Sequence, residues 1–89
     1  MRMTRAQRAA EIEDGILRKA KAAGRPLSGA DLWVSGAGAN EMVRALRSLE
    51  RIGLLDKHSV VKNGRKQSAW VYVDPDKLQQ EVDAQMRQR

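Results

Sequence analysis

The dipeptide Asn63-Gly64 constrains the fold of this chain more than any other pair of residues. It lies inside VVKNGRKQSAWVYV, residues 60–73, between two runs rich in β-branched and aromatic residues. Both central positions of a type I′ turn need positive φ, which Asn and Gly reach at little cost, so the segment is predicted to be a two-stranded antiparallel hairpin. Arg65 and Lys66 follow the turn at once. A tight turn folds without such a pair of cations, so their reason is sought outside the hairpin.

Upstream, the pattern is helical. Thr4 with Gln7 three residues later forms a capping-box pair. Ala9, Ile12, Ile16, Ala20 and Ala23 then recur every three or four residues, which puts them on one face of a first helix. Gly24 before Arg25-Pro26 stops it. PLSGADLWVSG, residues 26–36, is predicted as a short second helix, with Ser28 as cap and Leu32 and Trp33 as buried anchors. SGAGA, residues 35–39, is too rich in small residues to continue that helix and is read as a tight turn. It has no strand before it and no Lys-Ser/Thr after it, so it is not a phosphate-binding loop.

The third helix is predicted over NEMVRALRSLERIGLL. Met42, Leu46, Leu49 and Ile52 form its apolar stripe, with Ala45 beside it, and Gly53 ends it in the left-handed conformation. Asn40, Glu41, Val43, Arg44, Arg47 and Arg51 occupy the other face. After the hairpin, Asp74 and Pro75 cap and open a last helix. Its stripe of Leu78, Val82 and Met86 is thin and needs cover, either from its own chain or from a second copy.

Charge sharpens the reading. The 89 residues carry a net charge of +6, with a pI near 10.3. Residues 1–24 contribute +3, residues 25–55 +1, residues 56–73 +3 and residues 74–89 −1. The excess therefore lies in the N-terminal segment and the hairpin, and it argues for a polyanionic partner. There is no cysteine, and His58 is the sole histidine, so thiolate and histidine metal sites are not expected. Glu11, Glu13 and Asp14 read as a solvated face, and no nucleophile–base pair can be assembled, so no enzyme and no cofactor are expected. MRMTRAQRAA lacks the apolar core of a secretion signal, and a cytoplasmic protein without membrane or small-molecule ligand is expected. Trp70 and Tyr72 share one side of their strand, opposite Ala69, Val71 and Val73, and either set can face the core.

With PLSGADLW, VRALRSLERIGLLDK and VVKNGRKQSAWVYV in this order, the chain resembles the winged helix-turn-helix family, in the manner of small bacterial or phage regulators. The resemblance implies an α+β fold over residues 1–89. It would have a three-helix core at about residues 4–73 with a two-stranded wing, and a C-terminal helix at about residues 75–87. It implies sequence-specific binding of double-stranded DNA and a role in transcription. Asn40, Glu41, Val43, Arg44 and Arg47 would face the major groove. Arg65 and Lys66 would touch the backbone or minor groove, with Lys57 and Lys62 flanking them. Asn pairs with adenine and Arg with guanine, while Glu41 must accept from cytosine or pair with Arg44. A homodimer through Leu78, Val82 and Met86 would suit two half-sites. The other reading of the same scaffold is a protein-interaction module or an inhibitor of a host complex, with Trp70, Tyr72 and the C-terminal stripe as its contacts.

Overall fold

The computed structural model describes residues 3–87, apart from the side chains of residues 77, 78 and 81. Its order is α1 (Arg5–Ala23), β1 (Leu27–Ser28), α2 (Ala39–Arg51), β2 (Leu55–Lys62), β3 (Arg65–Tyr72) and α3 (Pro75–Arg87). The architecture is α+β, with three helices and one antiparallel sheet in the order β1-β3-β2.

Local signals in the sequence act where they stand. The Gln7 N–H donates to Thr4 Oγ1 at 3.1 Å, and the Thr4 N–H donates to Gln7 Oε1 at 2.9 Å, closing the capping box of α1. Gly24, at φ 61°, ends that helix. Gly53, at φ 82°, ends α2: its N–H reaches the Glu50 carbonyl at 3.1 Å while the Leu54 N–H reaches the Leu49 carbonyl at 3.0 Å, the paired bonds of a Schellman stop. Asn63 and Gly64 have φ of 55° and 76°, as a type I′ turn requires. The register from Leu55↔Tyr72 to Lys62↔Arg65 is continuous.

The predicted second helix is where the structure departs from the sequence reading. Ser28 does cap, accepting from the Asp31 N–H at 3.2 Å, and the Leu32 N–H reaches the Ser28 carbonyl at 3.0 Å. The chain then tightens, with the Trp33 N–H on the Ala30 carbonyl, and leaves after one turn. A single turn does not repay helix nucleation. Leu27 and Ser28 instead take up ladder pairing with Trp70 and Ala69, which makes the sheet three-stranded rather than a two-stranded hairpin. The segment that the sequence suggested as a third helix is therefore α2.

The core forms where α1, α2 and the base of the sheet meet. Ile12, Ile16, Ala20, Leu27, Leu32, Met42, Ala45, Leu46, Leu49 and Leu55 are buried, and Trp70 and Tyr72 pack against them. The Trp70/Tyr72 side of β3 is thus the inner one. Three expected core positions lie outside. Ala9 is exposed, because it faces an open groove between α1 and α2. Ile52 is 62% exposed, since it occupies the cap position after the last turn of α2. Trp33 is 42% exposed and spends its indole N–H on the Ala37 carbonyl at 3.1 Å, bracing the loop rather than filling the core. In α3, Asp74 caps the Asp76 N–H at 3.0 Å. Val82 and Met86 are exposed, while the Leu78 side chain of that predicted stripe lies outside the described residues.

Candidate nucleic-acid interface

Helix α2 carries two acidic residues, and each is tied inward on a different flank. Glu41, in the first turn, accepts from Arg8 of α1. The Arg8 Nε meets Glu41 Oε2, and its terminal nitrogen reaches Glu41 Oε1 at 3.1 Å and the Gly36 carbonyl at 2.8 Å. The same Oε1 accepts the Gly38 N–H at 3.0 Å. The Arg8 hydrogen bond, helped by the Gly38 N–H, holds the Glu41 carboxyl down at about 2. The expected alternative, an ion pair with Arg44 one turn along, is not formed. Glu50, two turns further, accepts the Trp70 indole N–H and so ties the opposite flank to β3.

Between those flanks runs a stripe at helical spacing: Asn40, Arg44, Arg47 and Arg51. All four are exposed, and Val43 beside them is 46% exposed. Arg51 belongs to this stripe by spacing; it was legible on the outer helix face but not singled out as a contact. None of the three arginines has an ion-pair partner among the described residues. With both carboxylates tied to neighbouring elements, the only charges on the outward face of α2 are the three arginines, and their positive potential is not cancelled locally.

The cations of α1 are used differently. Arg8 clamps Glu41, Arg18 pairs with Asp14 at 2.8 Å, Lys19 donates to the Trp33 carbonyl, and the Lys21 ammonium lies 5.0 Å from the Tyr72 ring centre. Arg8, Lys19 and Lys21 fasten the helix to its neighbours and Arg18 is paired within it, so net charge alone overstates what an anionic partner would meet.

At the hairpin, Lys62 pairs with Arg65 across the turn, and Val61 pairs with Lys66. Paired residues share a face and successive residues alternate. Lys62 and Arg65 therefore stand on one face of the tip and Lys66 on the other. All three are exposed, and Val61 is 71% exposed. Lys57 pairs with Trp70 at the base of the hairpin, and its ammonium lies 5.8 Å from the ring centre, so this expected flanking cation is engaged by an aromatic face well below the tip. His58 lies 3.3 Å from Asp56 on the outer side.

The arrangement offers two exposed cationic elements, a helix face and a strand turn, on a scaffold in which no buried side-chain polar atom lacks a partner among the described residues. No helix among those residues is long and apolar enough to cross a membrane. Two solved structures share the fold. One is smu.1704 from Streptococcus mutans, at 19% identity and a TM-score of 0.65 over 90% of this chain and 78% of that one. The other is TA0346 from Thermoplasma acidophilum, a candidate transcriptional regulator, at 17% identity and a TM-score of 0.61 over 97% and 99%. No protein-family model and no curated protein sequence matches the chain.

Proposed function

We propose that this chain is a small winged-helix protein that binds double-stranded DNA and regulates transcription. The observation that carries the reading is the outward face of α2. Its two carboxylates are withdrawn to the flanks, and Asn40, Arg44, Arg47 and Arg51 remain outside. Bidentate Arg–guanine and Asn–adenine pairs are the contacts such a stripe can make in a major groove, with Val43 beside a thymine methyl. Glu41 acts as a positioning residue that sets the helix entry against Arg8. Lys62, Arg65 and Lys66 on the hairpin tip supply phosphate or minor-groove contacts, and Lys57 supports the hairpin base. The shared fold with TA0346, a candidate transcriptional regulator, supports the same direction. A DNA partner implies a cytoplasmic, nucleoid-associated protein.

Self-association through α3 belongs to this reading, because Val82 and Met86 are left uncovered on a helix whose described side chains are all exposed. Those same residues also favour a second reading, a protein-interaction module. Trp70 and Tyr72 give it less support, since both pack against the core.

The test is fluorescence anisotropy on labelled mixed-sequence duplexes at two salt concentrations, followed by site selection. Non-specific affinity of about 10⁻⁴ to 10⁻⁶ M that weakens steeply with salt is expected. No duplex binding at low salt would overturn the reading in favour of a protein partner.

A further inference from the structure

Two features of the molecule lack a counterpart within one chain. The first is α3. It has thirteen residues, a length at which an isolated helix is marginal in water. Its described side chains are all exposed, with Val82 at 43% and Met86 at 71% on one face. The radius of gyration is 15.2 Å, against about 12 Å for a compact chain of this length, so mass stands away from the core. The α3 segment is also acidic: residues 74–87 hold Asp74, Asp76, Glu81 and Asp83 against Lys77 and Arg87.

The second is a groove of about 500 Å³ between α1 and α2. Ala9, Ile12 and Ala45 line it together with Arg5, Arg44 and Glu13, and the paired Arg8 and Glu41 close one side. Ala9 belongs to the apolar face of α1 yet nothing covers it. Three arginines against two carboxylates leave the lining net positive, with Arg5 and Arg44 without an ion-pair partner among the described residues, so it fits an acidic helix with a short apolar stripe in charge sign.

We propose that the groove between α1 and α2 receives α3 of a second copy of this chain, and that this docking and duplex binding exclude one another. The exclusion rests on the DNA reading above, since Arg44 belongs both to the groove lining and to the outward stripe of α2. A second copy is the better donor for a geometric reason. Tyr72 lies under Lys21, and Lys21 is about 18 Å along α1 from Ala9 at 1.5 Å per residue. Only Val73 and Asp74 join Tyr72 to α3, and two residues span at most about 7 Å. To reach the groove, the chain's own α3 would have to lie back along α1, and its exposed side chains show that it does not. The consequence is regulation by concentration: dimer at high protein, DNA-competent monomer at low protein.

Sedimentation velocity across a wide concentration range, in parallel with duplex anisotropy, tests this on the full chain. Wild type should shift from monomer to dimer as concentration rises. Val82→Asp/Met86→Asp, on the helix side, and Arg5→Glu, on the groove side, should each leave the circular dichroism spectrum intact and shift the protein to monomer. The α3 variant should also gain several-fold in duplex affinity at concentrations where wild type is dimeric. A wild type that stays monomeric throughout, including by docking α3 on its own groove, overturns the proposal. So does a dimer that survives Arg5→Glu, or an α3 variant with unchanged duplex affinity. If no form binds duplex at any concentration, the DNA reading and the exclusion fall together, while sedimentation still decides the docking itself.

Discussion

Arg8 and Glu41 are 33 residues apart in sequence, yet the guanidinium of one grips the carboxylate of the other through two nitrogen–oxygen contacts. The pair fixes the entry of α2 against α1, and the Gly38 N–H joins it. Its dependence on acid follows from the sign of the shift. The Glu41 carboxyl is held at about 2, below its ordinary 4.5, so folding favours the ionised form. The stabilisation is complete above pH 4.5 and is lost as pH falls toward 2. Glu41→Gln should therefore lower the thermal midpoint by a pH-independent amount at pH 5–8, and the gap to wild type should close between pH 4.5 and 2. Circular dichroism melts over that range read it directly; a gap independent of acid would remove the ion pair from the account.

The arginine stripe of α2 is expected to matter for binding and not for folding. Arg44, Arg47 and Arg51 are exposed and touch no carboxylate among the described residues. A bidentate base contact is worth about 1–3 kcal/mol. Arg44→Ala and Arg47→Ala should each weaken a selected duplex by roughly that amount and relax preference at one base position, with melting curves unchanged. Arg51→Ala, near the helix C-terminus, should weaken all duplexes about equally, as loss of a phosphate contact does. Competition with duplexes altered at single positions separates the two behaviours. Unchanged affinity in the Arg44/Arg47 double variant would move the interface elsewhere.

The hairpin tip should show itself in the salt dependence. Each neutralised phosphate contributes about −0.9 to the slope of log K against log salt, so Arg65→Ala/Lys66→Ala should flatten the slope by about 1.8. Lys57→Ala offers a control from the same hairpin. Its ammonium lies over Trp70 rather than at the tip, so it should leave the slope nearly intact and cost stability of about 0.5–1 kcal/mol. Titrations at several salt concentrations, with urea unfolding of the same variants, distinguish these outcomes. Equal slopes for wild type and the tip variant would detach the hairpin from the polyanion.

Signals that act within a few residues were readable without the structure. Thr4 with Gln7, Gly24, Gly53 and the Asn63-Gly64 turn each impose a local backbone state, and each stands where its chemistry requires. Contacts between distant segments were not readable in the same way. Nothing in the spacing of Glu41 and Arg44 reveals that Arg8, on another helix, offers the better partner. Nor does the helical pattern around Ser28 reveal that Leu27 has a ladder partner in Trp70, 43 positions away. The division of cations into fastened and free ones is likewise a tertiary property, since Lys19, Lys21 and Lys57 look no different in sequence from Lys62 and Lys66.

Leu32 and Trp33 put that distinction to a quantitative test. As neighbours in the expected second helix, both were anchors; in the structure Leu32 is fully buried and Trp33 is 42% exposed. A buried Leu cut to Ala loses its transfer free energy and leaves a cavity, at a cost of about 2–5 kcal/mol. Much of the stability of a domain this small lies within that range. Leu32→Ala should therefore shift urea unfolding to much lower denaturant or abolish the transition, although the residue sits in a turn. Trp33→Phe keeps a six-membered aromatic ring at a half-exposed site and loses the pyrrole portion with the N–H bonded to the Ala37 carbonyl, a hydrogen bond worth about 1 kcal/mol. If Trp33→Phe proved the more damaging of the two, the loop rather than the buried leucine would be holding this segment against the core.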